Sequence, residues 1–151
     1  MSKIDRVLVF KKLRLISEYN SILERYRSIS IEEFLDNIEK QFTVIRTLQV
    51  IVQAAIDINS HILSKLKPGN NNTNFEAFIE LGKCGVISSD LARQLAPSAG
   101  LRNRLVHEYD DIDPNQVLIA INFALQQYPL YVEQVDAYLI SFDSSEVDND
   151  N

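Results

Sequence analysis

The chain has 151 residues, 46% of them hydrophobic, with a formal charge of −6. That composition suits one domain with its own core and excludes a protein that grips nucleic acid over a broad basic surface, so any RNA site must be local. The single cysteine, Cys84, rules out an internal disulfide; with His61 and His107 as the only imidazoles, no metal site is expected and Cys84 reads as a small buried thiol. Met1 to Phe10 lacks the order of a signal peptide and no segment approaches a membrane span, so a cytoplasmic protein without membrane contact is expected.

The first helix is predicted over Lys3 to Arg27, from the repeat Val7, Phe10, Leu13, Leu15, Ile16, Tyr19, Ile22, Leu23 and Tyr26. Ser30-Ile31-Glu32-Glu33 matches a capping box, with Ile29 and Phe34 as its hydrophobic staple, so a second helix starts at Ile31. Nothing breaks its pattern before Lys67-Pro68-Gly69, which predicts one helix of about 36 residues, roughly 54 Å long. Apolar residues cover most of its circumference, leaving a narrow polar stripe of Arg46, Gln49, Gln53, Asp57, Ser60 and Ser64, as expected of a central helix. Asp57 and His61, four residues apart on this helix, are spaced to form a structural hydrogen-bonded pair, with a charge-relay pair as the alternative.

Thr73-x-x-Glu76 caps a short helix reaching about Leu81. Another opens at Ser88 or Ser89 and carries Leu91, Ala92, Leu95, Ala99, Leu105 and Val106, with Pro97 forcing a kink or a restart. Asp113-Pro114-Asn115-Gln116 is a complete start signal for a last helix running to about Ile140, bent at Pro129. The acidic segment 143–151 is expected to stay disordered, leaving a single helical domain over 1–142. No strand pattern appears, so the expected fold is all-α, a bundle of four long helices plus a short connecting helix.

The segment Arg102 to Tyr109, R-N-R-L-V-H-E-Y, concentrates the chemistry. At 100° per residue, Leu95, Ala99, Arg102, Val106 and Tyr109 share one face, so Arg102 interrupts an apolar stripe and should meet an anionic or aromatic partner. Asn103 and His107 are neighbours at i,i+4, whereas Arg102 and His107 diverge by about 140°, an arrangement that favours a composite cleft between two copies. The set holds no nucleophile of its own. It suits RNA, whose 2′-hydroxyl can attack while a histidine moves protons and a guanidinium holds the phosphate, with no cofactor required.

The pattern Arg-polar-x-x-x-His with Tyr two residues past His resembles the signature of HEPN ribonucleases, and within them the HepT toxins of HepT–MntA toxin–antitoxin pairs. The segment Arg46 to Leu63 resembles the second helix of the same family, and the resemblance spans nearly the whole chain short of the tail. It implies a homodimer of helical bundles and metal-independent RNA cleavage with Arg102 and His107 as catalytic residues and Asn103 in support. It further implies an MntA-like minimal nucleotidyltransferase antitoxin that attaches AMP to Tyr109. Arg46 and Arg104, with Arg93 behind them, are candidate contacts for RNA phosphates, although salt-bridged or solvated arginines are the ordinary alternative. The alternative from another class is a catalytically silent helical scaffold that binds a nucleotidyltransferase or a nucleotide.

Overall fold

Asp5 begins the first helix, its carboxylate accepting from the Leu8 amide at 3.1 Å, and α1 runs Arg6–Glu24. The computed structural model describes residues 3–107 and 111–149, with side chains through 141. The buried stripe of α1 is Val9, Leu13, Ile16 and Leu23, while Val7 and Phe10 are exposed, so the inward face is rotated from the one the sequence repeat picked out. α1 packs on α3 and α7.

The capping box expected at Ser30 is half present: Ser30 Oγ accepts from the Glu33 amide at 3.1 Å and opens α2, Ile31–Asp36. The single long helix predicted from Ile31 is two. Asn37 takes an extended conformation, φ −132° and ψ 101°, and caps α3, Ile38–Leu66, by accepting from the Lys40 amide at 3.1 Å. Gln41 Nε2 then reaches back to the carbonyls of Phe34 and Leu35 at 2.8 and 3.2 Å, taking acceptors stranded at the end of α2. A side chain that satisfies one helix start while another satisfies the preceding helix end is what makes a break cheap here. Asn37→Ala should cost about 1 kcal/mol, read as a lower midpoint in denaturant without a change in its slope.

α3 is central, as its all-round apolar pattern demands. Val44, Ile45, Leu48, Ile51, Val52, Ala55, Ile58 and Ile62 are buried, and α1, α4, α6 and α7 all pack against it. Asn59 is buried too, and Tyr131 of α7 donates its hydroxyl to Asn59 Oδ1 at 2.6 Å. The Tyr131 ring meets Phe78 and Tyr128 edge to face at 6.4 and 6.0 Å, and burial pushes the phenols of Tyr128 and Tyr131 up, so both stay protonated.

α4, Asn74–Lys83, carries the full Thr73–Glu76 capping box, and Lys67 Nζ ties it to the end of α3 through Glu80 at 2.8 Å. Half-buried Cys84 caps its C-terminus, and Gly85, at φ 79°, provides the left-handed residue that turns the chain. Gly82 lets α4 approach α5 closely: a Cβ there would lie 2.7 Å from Ala92 Cβ. α5 is Ser89–Leu95, capped by Ser88, and α6 is Ser98–His107, so Pro97 restarts the helix instead of bending it.

Asp113 Oδ1 accepts from the Asn115 amide at 2.9 Å and α7 begins at Pro114. α7 runs Pro114–Asn149, continuing through Pro129 and past the expected end near Ile140. The helical backbone thus enters the segment expected to be a disordered tail: no Gly or Pro follows Pro129 to stop it. Among the described residues, no strand occurs and no helix is long and apolar enough to cross a membrane.

Candidate RNA-processing site

α6 is short because Pro97 isolates it from α5, and its seat is narrow. Ser98, Ala99, Leu101 and Leu105 face inward, with Leu105 fully buried, whereas Asn103, Arg104, Val106 and His107 are exposed and Arg102 is half-buried at the edge. The expected stripe through Val106 is therefore wrong in detail. Val106 is 43% exposed, and the buried line passes through Leu101 and Leu105, spaced four residues apart. Arg102 borders this line and does not interrupt it, because the restart at Ser98 removes Leu95 from the same wheel.

Arg102 is also not held by the anion expected for it. Among the described residues, its Nε donates to Gln53 Oε1 at 2.9 Å and its Nη1 to Asn103 Oδ1 at 3.3 Å, both neutral amide oxygens. No described carboxylate pairs with it, which leaves an edge of the guanidinium for an incoming anion. The polar stripe of α3 lies along this edge: Gln49 Nε2 donates to the Leu105 carbonyl at 2.7 Å, and Arg46 Nη1 approaches Gln49 Oε1 at 3.5 Å. Arg46 is thus brought to the edge that holds the end of α6. Arg104 and His107, among the described residues, have no hydrogen-bond partner and sit in solvent. Arg93 pairs with Asp90 on α5 and is spent there.

The Asp57–His61 pair is not made. Asp57 accepts from Lys12 Nζ at 3.0 Å and from Gln53 Nε2 at 2.9 Å, while His61 Nε2 accepts the Asp5 backbone N–H at 2.8 Å, pinning the start of α1 to α3. Asp57 thus bonds a residue of α1 and one of its own helix, and His61 the residue that caps α1. Tyr109 lies outside the described residues.

The segment Ser98–His107 contains Arg102, Arg104 and His107 and no acid, and Glu108, Asp110 and Asp111 follow it closely in the sequence. Among the described residues, no group of three or more His, Cys, Asp or Glu is placed to hold a metal ion.

A family model described as Ribonuclease HepT-like matches residues 16–135. The chain belongs to the HepT-like ribonuclease family. Among HepT-like proteins, it is 58% identical over 143 residues to the tRNA nuclease HepT of Aphanizomenon flos-aquae, a match covering 95% of this chain and 97% of that protein. It is 27% identical over 105 residues, 70% of this chain and 79% of the relative, to the mRNA nuclease HepT of Shewanella oneidensis. In three dimensions it resembles the tri-AMPylated HEPN toxin of Shewanella oneidensis solved in complex with its MNT antitoxin, with a TM-score of 0.75 at 23% identity, covering 86% of this chain and 97% of that one. The all-α HEPN bundle is therefore the fold of this HepT-like chain. Its motif residues Arg102, Asn103 and His107 all stand on α6, Asn103 and His107 exposed and Arg102 at the edge where α6 meets α3.

Sequence reasoning did not assign Gln49 and Gln53 a role. The available signal was their i,i+4 spacing with each other and with Asp57 along the polar stripe of α3.

Proposed function

We propose that this chain is the RNA-cleaving toxin of a toxin–antitoxin pair, acting without a metal ion on a transfer RNA or another RNA of comparable exposure. The observation that carries the reading is the cluster of half-buried Arg102 and exposed Asn103 and His107 on α6, in a chain 58% identical to a tRNA nuclease HepT over a match covering 95% of its length.

The chemistry follows from the residue types. The 2′-oxygen of the substrate attacks the adjacent phosphorus, forming a cyclic phosphate, and the bond to the 5′-oxygen breaks. One proton leaves the 2′-hydroxyl and one joins the departing oxygen, and the His107 imidazole is the group of the motif that can take the first and give the second. Arg102 meets the charge that accumulates on the phosphoryl oxygens, with free N–H donors on the exposed side of its guanidinium. Asn103 steadies that guanidinium and can itself contact phosphate. Arg46 and Arg104 offer further cationic contacts to flanking phosphates.

Two copies complete the site. Exposed Val106, one turn from Arg102, offers the apolar contact about which two α6 helices cross, and a two-fold axis there gathers Arg102 and His107 from both subunits into one cleft. An MntA-like nucleotidyltransferase silences the toxin by joining AMP to Tyr109: the phenol oxygen bonds the α-phosphorus of ATP and pyrophosphate departs. The added group brings negative charge and bulk beside His107, against the RNA backbone.

His107→Ala tests the mechanism. The parent is expected to cleave transfer RNA in the presence of a chelator and to arrest growth when expressed, and the variant to do neither; a variant as active as the parent refutes the assignment. Co-expression with the nucleotidyltransferase should raise the intact mass by steps of about 329 Da, one adenylyl unit each. A Tyr109→Phe protein that still gained the first step would remove Tyr109 as the acceptor.

A further inference from the structure

We propose that Gln53 and Gln49, one helical turn apart on α3, are positioning residues for the cleavage site: Gln53 sets the Arg102 guanidinium and Gln49 the final turn of α6 that carries His107. This rests on the ribonuclease reading above.

A glutamine amide has an acceptor end and a donor end, and either can face a neighbour. Around Gln53 the choice is fixed. Asp57 is acceptor-only when ionised, and it takes the donor end, Nε2, at 2.9 Å; the oxygen is then left facing Arg102, where Nε donates at 2.9 Å. Asp57 is itself fixed by Lys12 of α1, whose Nζ lies 3.0 Å from its second oxygen. The chain Lys12, Asp57, Gln53, Arg102 therefore alternates donor and acceptor at every link and crosses from α1 through α3 to α6. Flipping the Gln53 amide would set N–H against N–H at Arg102 and oxygen against oxygen at Asp57.

The consequence for Arg102 is orientation. Its guanidinium is a rigid fork, and the inner Nε contact is half-buried whereas the Nη1 contact to Asn103 is exposed. Tying Nε inward turns the Nη edge to the side on which RNA must arrive. A long side chain that would otherwise sample many rotamers is held ready before the substrate binds.

Gln49 repeats the device one turn earlier. Gln49 Nε2 donates to the Leu105 carbonyl, two residues before His107, at 2.7 Å. Its oxygen faces Arg46 Nη1 at 3.5 Å, so the amide orientation is again set by a cation. Two side chains at i,i+4 thus fix both ends of the Arg102 to His107 segment against one rigid helix.

The test uses the full-length chain, purified transfer RNA as the probe, and a chelator throughout. Gln53→Leu should lower kcat roughly 10- to 100-fold, the loss expected of a misplaced catalytic group, while KM changes by less than about 3-fold. Asp57→Asn, which frees the Gln53 amide to flip, should lose part of the same rate with the unfolding midpoint unchanged. In an Arg102→Ala background, Gln53→Leu should have no further effect, because the group it positions is gone. Parent kcat in both Gln53→Leu and Asp57→Asn, or a Gln53→Leu loss that multiplies fully with Arg102→Ala, overturns the positioning role and marks a structural contact. Intact transfer RNA after incubation with the parent protein overturns the ribonuclease reading itself and takes this proposal with it.

Discussion

Arg102→Ala should lower the rate of RNA cleavage by about 10²- to 10³-fold, the range seen when one preorganised donor to a developing oxyanion is removed. The fold should barely notice. Arg102 is half-exposed and contacts two neutral amides, and the truncated site leaves Gln53 next to solvent and still bonded to Asp57. Cleavage of transfer RNA measured beside far-ultraviolet circular dichroism and a melting curve separates the two effects. A variant with parent activity would show that the guanidinium does not meet the scissile phosphate. A variant that failed to fold would show that the arginine serves packing, the role expected of it if the protein were only an interaction module.

The largest stability effect is expected one turn further on. Leu105 is fully buried beneath the exposed motif and anchors α6 on the core. Leu105→Ala removes its transfer energy and leaves a cavity, a loss of about 2–5 kcal/mol. For a chain of this size that lowers the melting midpoint by roughly 5–15 °C. Activity should survive well below the new midpoint and vanish above it, unlike the loss in Arg102→Ala, which is present at every temperature. A shift under about 1 kcal/mol in denaturant would contradict the seat assigned to α6.

The contrast between those two neighbours shows what a sequence makes legible. The helix starts at Ser30, Thr73, Ser88 and Asp113 were readable because a capping side chain acts within three residues of itself. The break at Asn37 was missed although its cap is equally local, because the hydrophobic pattern runs on across it and the contact that closes α2, Gln41 reaching the carbonyls of Phe34 and Leu35, is one no such pattern records. Pro97 announced an interruption, and only the structure decided for a restart, which rotated the buried line of α6 onto Leu101 and Leu105.

The same limit applies to the site. Arg102, Asn103 and His107 were visible as a motif because their spacing is local. The partner of Arg102 on α3, Gln53, lies 49 residues away, and long-range pairing leaves no trace in local periodicity. Asp57 and His61 illustrate the converse error: correct i,i+4 spacing predicted a pair, yet Lys12 and the Asp5 amide, both more than 40 residues distant, compete for them and win.

The claim that this site cleaves RNA through the substrate's own hydroxyl is tested most directly by the chemistry of the new ends. Transfer RNA cut by the purified protein in excess chelator should carry a 5′-hydroxyl on one fragment and a 2′,3′-cyclic or 3′-phosphate on the other, because the 2′-oxygen has replaced the 5′-oxygen on phosphorus. Fragments bearing a 5′-phosphate and a free 3′-hydroxyl, or cleavage that stops when divalent ions are removed, would contradict it.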